Sequence, residues 1–71
     1  MRIIDVSERS IYRNYHINGS VNIPYDELMN NYRNFLNKSE SYYFTCKSGK
    51  LSRRAASILS SLGYKAFVLK N

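Results

Sequence analysis

Apolar and polar positions along these 71 residues switch between two periods. Four short runs are rich in β-branched or aromatic side chains: Ile3-Ile4-Asp5-Val6, Val21-Asn22-Ile23, Tyr42-Tyr43-Phe44-Thr45 and Ala66-Phe67-Val68-Leu69. Runs of this length and composition read as buried strands. Between them the spacing becomes helical. After Pro24, Leu28, Tyr32, Phe35 and Leu36 line one helix face, and Asp26 and Glu27 fall in the first turn, where acids suit the helix dipole. Asn30, Asn31, Asn34 and Asn37 weaken that helix, because asparagine is a poor helix former. Leu51, Ala55, Ile58, Leu59 and Leu62 form a second apolar face, stopped by Gly63 at the C′ position. Ser7 is the expected N-cap of a brief helix over Glu8 to Asn14. Strands alternating with helices imply parallel βαβ units with right-handed crossovers. The expected fold is α/β: a small, mainly parallel sheet of about four strands with helices on both faces.

The third strand ends in the chain's one cysteine, Cys46, and a polar loop containing Gly49 leads straight into the helix that begins near Leu51. That order aims a thiol at the unpartnered N–H groups and partial positive charge of a helix N-terminus, which favour anions. A thiol so placed, or beside cations, has a lowered pKa and more of the nucleophilic thiolate. Lys47, Lys50, Arg53 and Arg54 all follow within eight residues of Cys46. Gly49 permits φ > 0 and a close backbone approach. The residues also admit an inert reading, since a free cysteine is often buried as a small hydrophobe. Strand C-termini in open α/β sheets are where ligands bind, which weighs toward a reactive cysteine in an anion-binding loop.

Composition narrows the setting. A chain this short forms one domain and buries only about 60% of its unfolded surface, so its stability is expected to be modest. Eleven Lys and Arg against five acids leave a net charge of +6, which favours anionic partners without choosing among sulfur oxyanions, nucleic acid and acidic proteins. One cysteine makes no internal disulfide and fits a reducing compartment; with no long apolar run and no signal-peptide layout, cytoplasm is the expected location and no membrane partner is expected. The seven tyrosines are spread over every element, which fits rings covering the rim of a small core better than stacking platforms for single-stranded nucleic acid.

The same stretches resemble the rhodanese domain. Ile3-Ile4-Asp5-Val6 and His16-Ile17-Asn18-Gly19-Ser20-Val21-Asn22-Ile23-Pro24 are similar to its two leading signatures. Cys46-Lys47-Ser48-Gly49-Lys50-Leu51-Ser52 is similar to its active-site loop, and Gly63-Tyr64-Lys65-Ala66-Phe67-Val68-Leu69 to the strand that follows. The four occur in the family's order and span nearly the whole chain. The resemblance implies a sulfurtransferase or persulfide carrier without metal or cofactor. Cys46 would take a sulfane sulfur from a small anionic donor such as thiosulfate, expelling sulfite, and pass it to cyanide, a thiol or an acceptor protein. Backbone N–H groups of Lys47, Ser48, Gly49, Lys50, Leu51 and Ser52 would hold the persulfide anion. Asp5 and His16 match family positions near the loop and are read as supporting scaffold.

Loop length separates sulfur from phosphate chemistry. Sulfur-transfer loops of the family resemble Cys46 to Leu51 in having six residues. Phosphatase relatives place an arginine fork where this chain has Ser52, with Arg53 one position beyond. Departures from the pattern matter as well. Many family loops carry arginine at the place of Leu51, where it would bind sulfite or thiosulfate oxygens. That charge falls here to Lys47, Lys50 or Arg53, and lysine is a point charge rather than a fork. Tyr15 and Ser7 stand where glycine and arginine are usual. The family's first strand and helix and its final helix are expected to be missing from a single domain over residues 1–71. A missing edge strand leaves backbone unpaired, which allows a homodimer through the sheet edge, a degenerate remnant or a truncated product. Three functions follow: a sulfurtransferase or persulfide carrier, a catalytically weak rhodanese-fold module that binds an anionic or protein partner, and, motivated only by charge and tyrosines, a nucleic-acid binder.

Overall fold

The sheet is built from four parallel strands in the order β2-β1-β3-β4. In chain order the elements are β1 (Arg2–Asp5), α1 (Arg9–Asn14), β2 (Ser20–Asn22), α2 (Tyr25–Phe35), β3 (Ser41–Thr45), α3 (Lys50–Ser61) and β4 (Lys65–Val68). The structure, a computed structural model, describes residues 1–70. The expected α/β fold is therefore observed, with every strand pair parallel. No described helix is long and apolar enough to cross a membrane.

Register explains the layering. Ile4 pairs with Phe44 and Phe44 with Val68, while Tyr42 pairs with Ala66. Paired residues in parallel strands point to the same face, so these side chains form one apolar surface. Leu28 of α2 and Ala55 and Leu59 of α3 complete the core on that surface, and Phe44, Leu28 and Leu59 are among the side chains fully removed from water. The opposite face carries Ile3, Tyr43 and Phe67 in register, with the Tyr43 and Phe67 rings stacked at 5.4 Å. Right-handed crossovers place α1 on this second face, because β1 to β2 runs one way along the sheet and β3 to β4 the other. The short α1 buries none of its residues and covers only the end of that face.

Local departures have local causes. Ser7 is not the N-cap of α1; Glu8 occupies that position without a side-chain cap, while Ser7 is buried just past the end of β1 and its backbone N–H donates to Asp5 Oδ1 at 2.8 Å. Within α2, Asn31 leaves helical geometry at φ −141°. Its side-chain amide donates to the Glu27 carbonyl, the acceptor its own backbone N–H takes in a regular helix, which is how asparagine competes with helical hydrogen bonds. Gly63 follows α3 with φ 96°, as its C′ assignment requires.

Candidate active site

The buried polar side chains among the described residues are Asp5, Ser7, Thr45 and Ser52. All lie at the C-terminal end of the sheet: Asp5 and Thr45 end adjacent paired strands, Ser7 follows β1, and Ser52 is in the first turn of α3. Polar groups are costly to bury unless hydrogen-bonded, and no buried side-chain polar atom described here lacks a partner. Cys46 sits directly after Thr45, half-buried, at the centre of this group.

The loop from Cys46 to α3 turns on Gly49, the N-cap of the helix, at φ 81° in the left-handed region. This turn brings the start of α3 over the sulfur. The Ser52 backbone N–H donates to Cys46 Sγ at 3.3 Å, and the Ser52 hydroxyl lies 3.6 Å from the same atom. Burial is the largest single influence on Cys46 and raises its pKa. Hydrogen bonds from the Ser52 hydroxyl and from the backbone of Ser52, Gly49 and Leu51 together outweigh it and hold the thiol below its ordinary value. The bonded form is the thiolate, the nucleophile.

The predicted site residues separate into groups. Gly49, Leu51 and Ser52 direct backbone at the sulfur. The Lys50 N–H does not join them, since it donates to Ser48 Oγ at 3.2 Å. Leu51 is half-buried with its side chain packed against the hydrophobic core, so the position where the family often carries arginine is turned inward here. Arg53 folds back over the loop: a Cβ built on Gly49 would lie 2.8 Å from its Nη1.

Two clefts meet at Cys46. On the β4 side, a cleft of about 480 Å³ is walled by Lys47, Ser48, Ser52, Arg53 and Lys70. The described ion pairs are Arg2–Glu40 and Arg9–Glu27, so these three cations have no acidic partner among the described residues. On the α1 side, a smaller and largely apolar cleft is walled by Ile11, Tyr15, His16, Ile17, Asp5 and Thr45, with Lys47 at the border it shares with the first. Asp5 and His16, read from sequence as scaffold, both border this second cleft, and each makes a supporting bond: Asp5 to the Ser7 N–H, His16 Nδ1 to the Tyr12 carbonyl at 2.7 Å. Lys70 and Ile11 were not singled out in the sequence. Nothing in the local pattern marks them, because only the approach of β4 and α1 to the β3 loop makes them neighbours of Cys46.

Comparison with known proteins finds relatives by sequence and by structure. YrkF of Bacillus subtilis, named as a sulfur carrier, is 35% identical over 68 residues, 96% of this chain and 36% of that protein. The tRNA sulfurtransferase of Pyrobaculum aerophilum is 32% identical over 68 residues, 96% of this chain and 14% of that protein. The chain thus spans about a third or less of the length of these curated relatives. The crystal structure of a rhodanese-related protein from Thermoplasma volcanium superposes with a TM-score of 0.87 at 28% identity, covering 99% of this chain and 69% of that one. The family profile of the rhodanese-like domain matches residues 1–71, and the chain belongs to that family.

Proposed function

We propose that this domain is a sulfurtransferase or persulfide carrier in which Cys46 accepts a sulfane sulfur and hands it on. The observation that carries the reading is the set of hydrogen bonds from Ser52, Gly49 and Leu51 that favours an anionic sulfur at the N-terminus of α3. The same groups suit the negative charge of a persulfide. The anionic donor enters from the basic cleft, where Lys47, Arg53 and Lys70 attract it and Arg53 takes the place of the arginine that Leu51 lacks. The thiolate attacks the donor's sulfane sulfur, the bond between that sulfur and the leaving group breaks, and with thiosulfate the departing group is sulfite. No general base is required for this half, because the thiolate is already favoured. Relatives named for sulfur carriage and for tRNA sulfur transfer support the reading, as does a lone thiol suited to the reducing cytoplasm.

Incubation with thiosulfate, or with a small organic persulfide, is expected to add the mass of one sulfur atom to Cys46. The Cys46→Ser protein should stay folded and gain nothing. The inward Leu51 favours a second reading, a rhodanese-fold module that binds an anionic or protein partner with little turnover. Absence of sulfur on Cys46 with every donor, in a folded protein, would decide for that second reading.

A further inference from the structure

Apart from Lys47, which borders both clefts, the apolar cleft on the α1 side has no role in the donor step. Its volume is about 210 Å³, room for about seven waters at roughly 30 Å³ each, and it opens onto Cys46. Ile11, Tyr15 and Ile17 supply its apolar wall and His16 stands beside them. Two contacts fix the His16 ring: it stacks on the Tyr12 ring at 3.9 Å with 10° between planes, and Nδ1 meets the Tyr12 carbonyl. A carbonyl only accepts, so Nδ1 carries the hydrogen and, in the neutral ring, Nε2 presents a lone pair.

We propose that this cleft is the acceptor half of the site: it takes a low-molecular-weight organic thiol, and His16 Nε2 removes the thiol proton. The inference rests on the reading of Cys46 as a sulfur carrier. An ordinary thiol titrates near pH 8.5 and is largely protonated at neutral pH, so it needs a base before it can attack. Sulfite and thiosulfate are already ionised and need no base; Lys47 borders both clefts and is set against the Asp5 carboxylate here, whereas Arg53 and Lys70 stand only on the β4 side, which is where these anions belong. In the transfer, the deprotonated thiol sulfur attacks the outer sulfur of the Cys46 persulfide and forms the new S–S bond with its own electron pair. The bond between the outer sulfur and Sγ breaks, and its pair stays on Sγ as the thiolate held by Ser52, Gly49 and Leu51. Cys46 is reduced, the thiol is oxidised to a persulfide, and the proton on His16 passes to the outer sulfur of the product.

Transfer from persulfide-loaded protein to benzyl thiol and to sulfite, measured side by side, tests the base. His16→Asn keeps a donor for the Tyr12 carbonyl and removes the basic nitrogen. The ratio of the benzyl thiol rate to the sulfite rate is expected to fall about 100-fold. An unchanged ratio, whether both rates hold or both drop together, would overturn the role of His16. A second measurement does not depend on loading: the Cys46→Ser protein is titrated with benzyl methyl sulfide, which carries no S–H proton. Methyl resonances of Ile11 and Ile17 should shift while that of Val68, on the basic side, stays in place. No shift at Ile11 and Ile17 would overturn the thiol cleft. Failure of Cys46 to take sulfur would overturn the carrier reading and the proton step with it, and the shifts would still decide the cleft.

Discussion

One hydroxyl hydrogen at Ser52 has two acceptors within reach, the Gly49 carbonyl at 3.1 Å and the Cys46 sulfur at 3.6 Å. With Cys46 as a thiol, S–H donates to Ser52 Oγ and the hydroxyl donates to Gly49. With Cys46 as a thiolate, the hydroxyl turns to the sulfur, and the Gly49 carbonyl keeps the backbone N–H of Arg53 at 3.1 Å as its partner. No buried group is stranded in either state, so the hydroxyl follows the charge at little cost. Ser52→Ala removes this response while burial of the sulfur persists, and the Cys46 pKa should rise. Alkylation of Cys46 by iodoacetamide should then slow at neutral pH, with its pH midpoint displaced upward. Stability follows in sign: a thiol whose folded pKa lies below its unfolded value of about 8.5 stabilises the fold above that pH and loses the contribution as pH falls through the folded value. The stability difference between wild type and Ser52→Ala from this source is therefore widest in alkali and closes toward acid. An alkylation profile identical in the two proteins would show that the backbone N–H groups alone lower the pKa.

The cysteine loop and α3 work as one element because Gly49 turns the chain in the left-handed region just before the helix. Any side chain there meets conformational strain, and a Cβ also meets Arg53 Nη1, the movable end of a long side chain. The strain dominates, since the guanidinium can swing away. Gly49→Ala is expected to destabilise the domain by about 1 kcal/mol and to lower Tm by roughly 4–8 °C, read from thermal unfolding by circular dichroism. An unchanged Tm would mean that the loop has another conformation of equal energy. By contrast, the distortion of α2 at Asn31 is absorbed by the asparagine's own bond to Glu27. The six-residue α1, without buried residues or a side-chain cap, owes its position to its surroundings: Tyr12 donates its hydroxyl to the Ser20 carbonyl at 2.6 Å, tying the helix to β2.

For the molecule as a whole, one apolar layer between the sheet and α2 and α3 carries the stability. Phe44 is at its centre, wholly buried, paired in register with Ile4 and Val68. Phe44→Ala costs about 3–5 kcal/mol in a domain of a size whose core seldom supplies more than that. Mostly unfolded protein is the expected outcome, read from the loss of a cooperative urea transition. The exposed ion pairs Arg2–Glu40 and Arg9–Glu27 do not compensate, because surface pairs contribute at most about 1 kcal/mol. They matter for charge distribution instead. Two of the cations are neutralised away from the loop, and Lys47, Arg53 and Lys70 are left to set the field at Cys46.

Much of this was legible in the residues alone. Period-2 and period-3.6 patterns placed all four strands and the helices to within a few residues, since burial of one face dictates those periods. The turn of Cys46, Gly49 and α3 was equally legible, because its chemistry is local: a helix N-terminus and a glycine act on a neighbour a few positions away. What depended on the folded chain is non-local. Leu51 faces the core, Arg53 lies over Gly49, Lys70 arrives just after β4, and α1 with the turn that follows it brings Ile11 and His16 to the other side of the sulfur. The linear pattern states which faces are apolar, but the meeting of strand ends is a property of sheet order and register. In this protein that meeting, more than the cysteine motif, gives the sulfur two unlike sides.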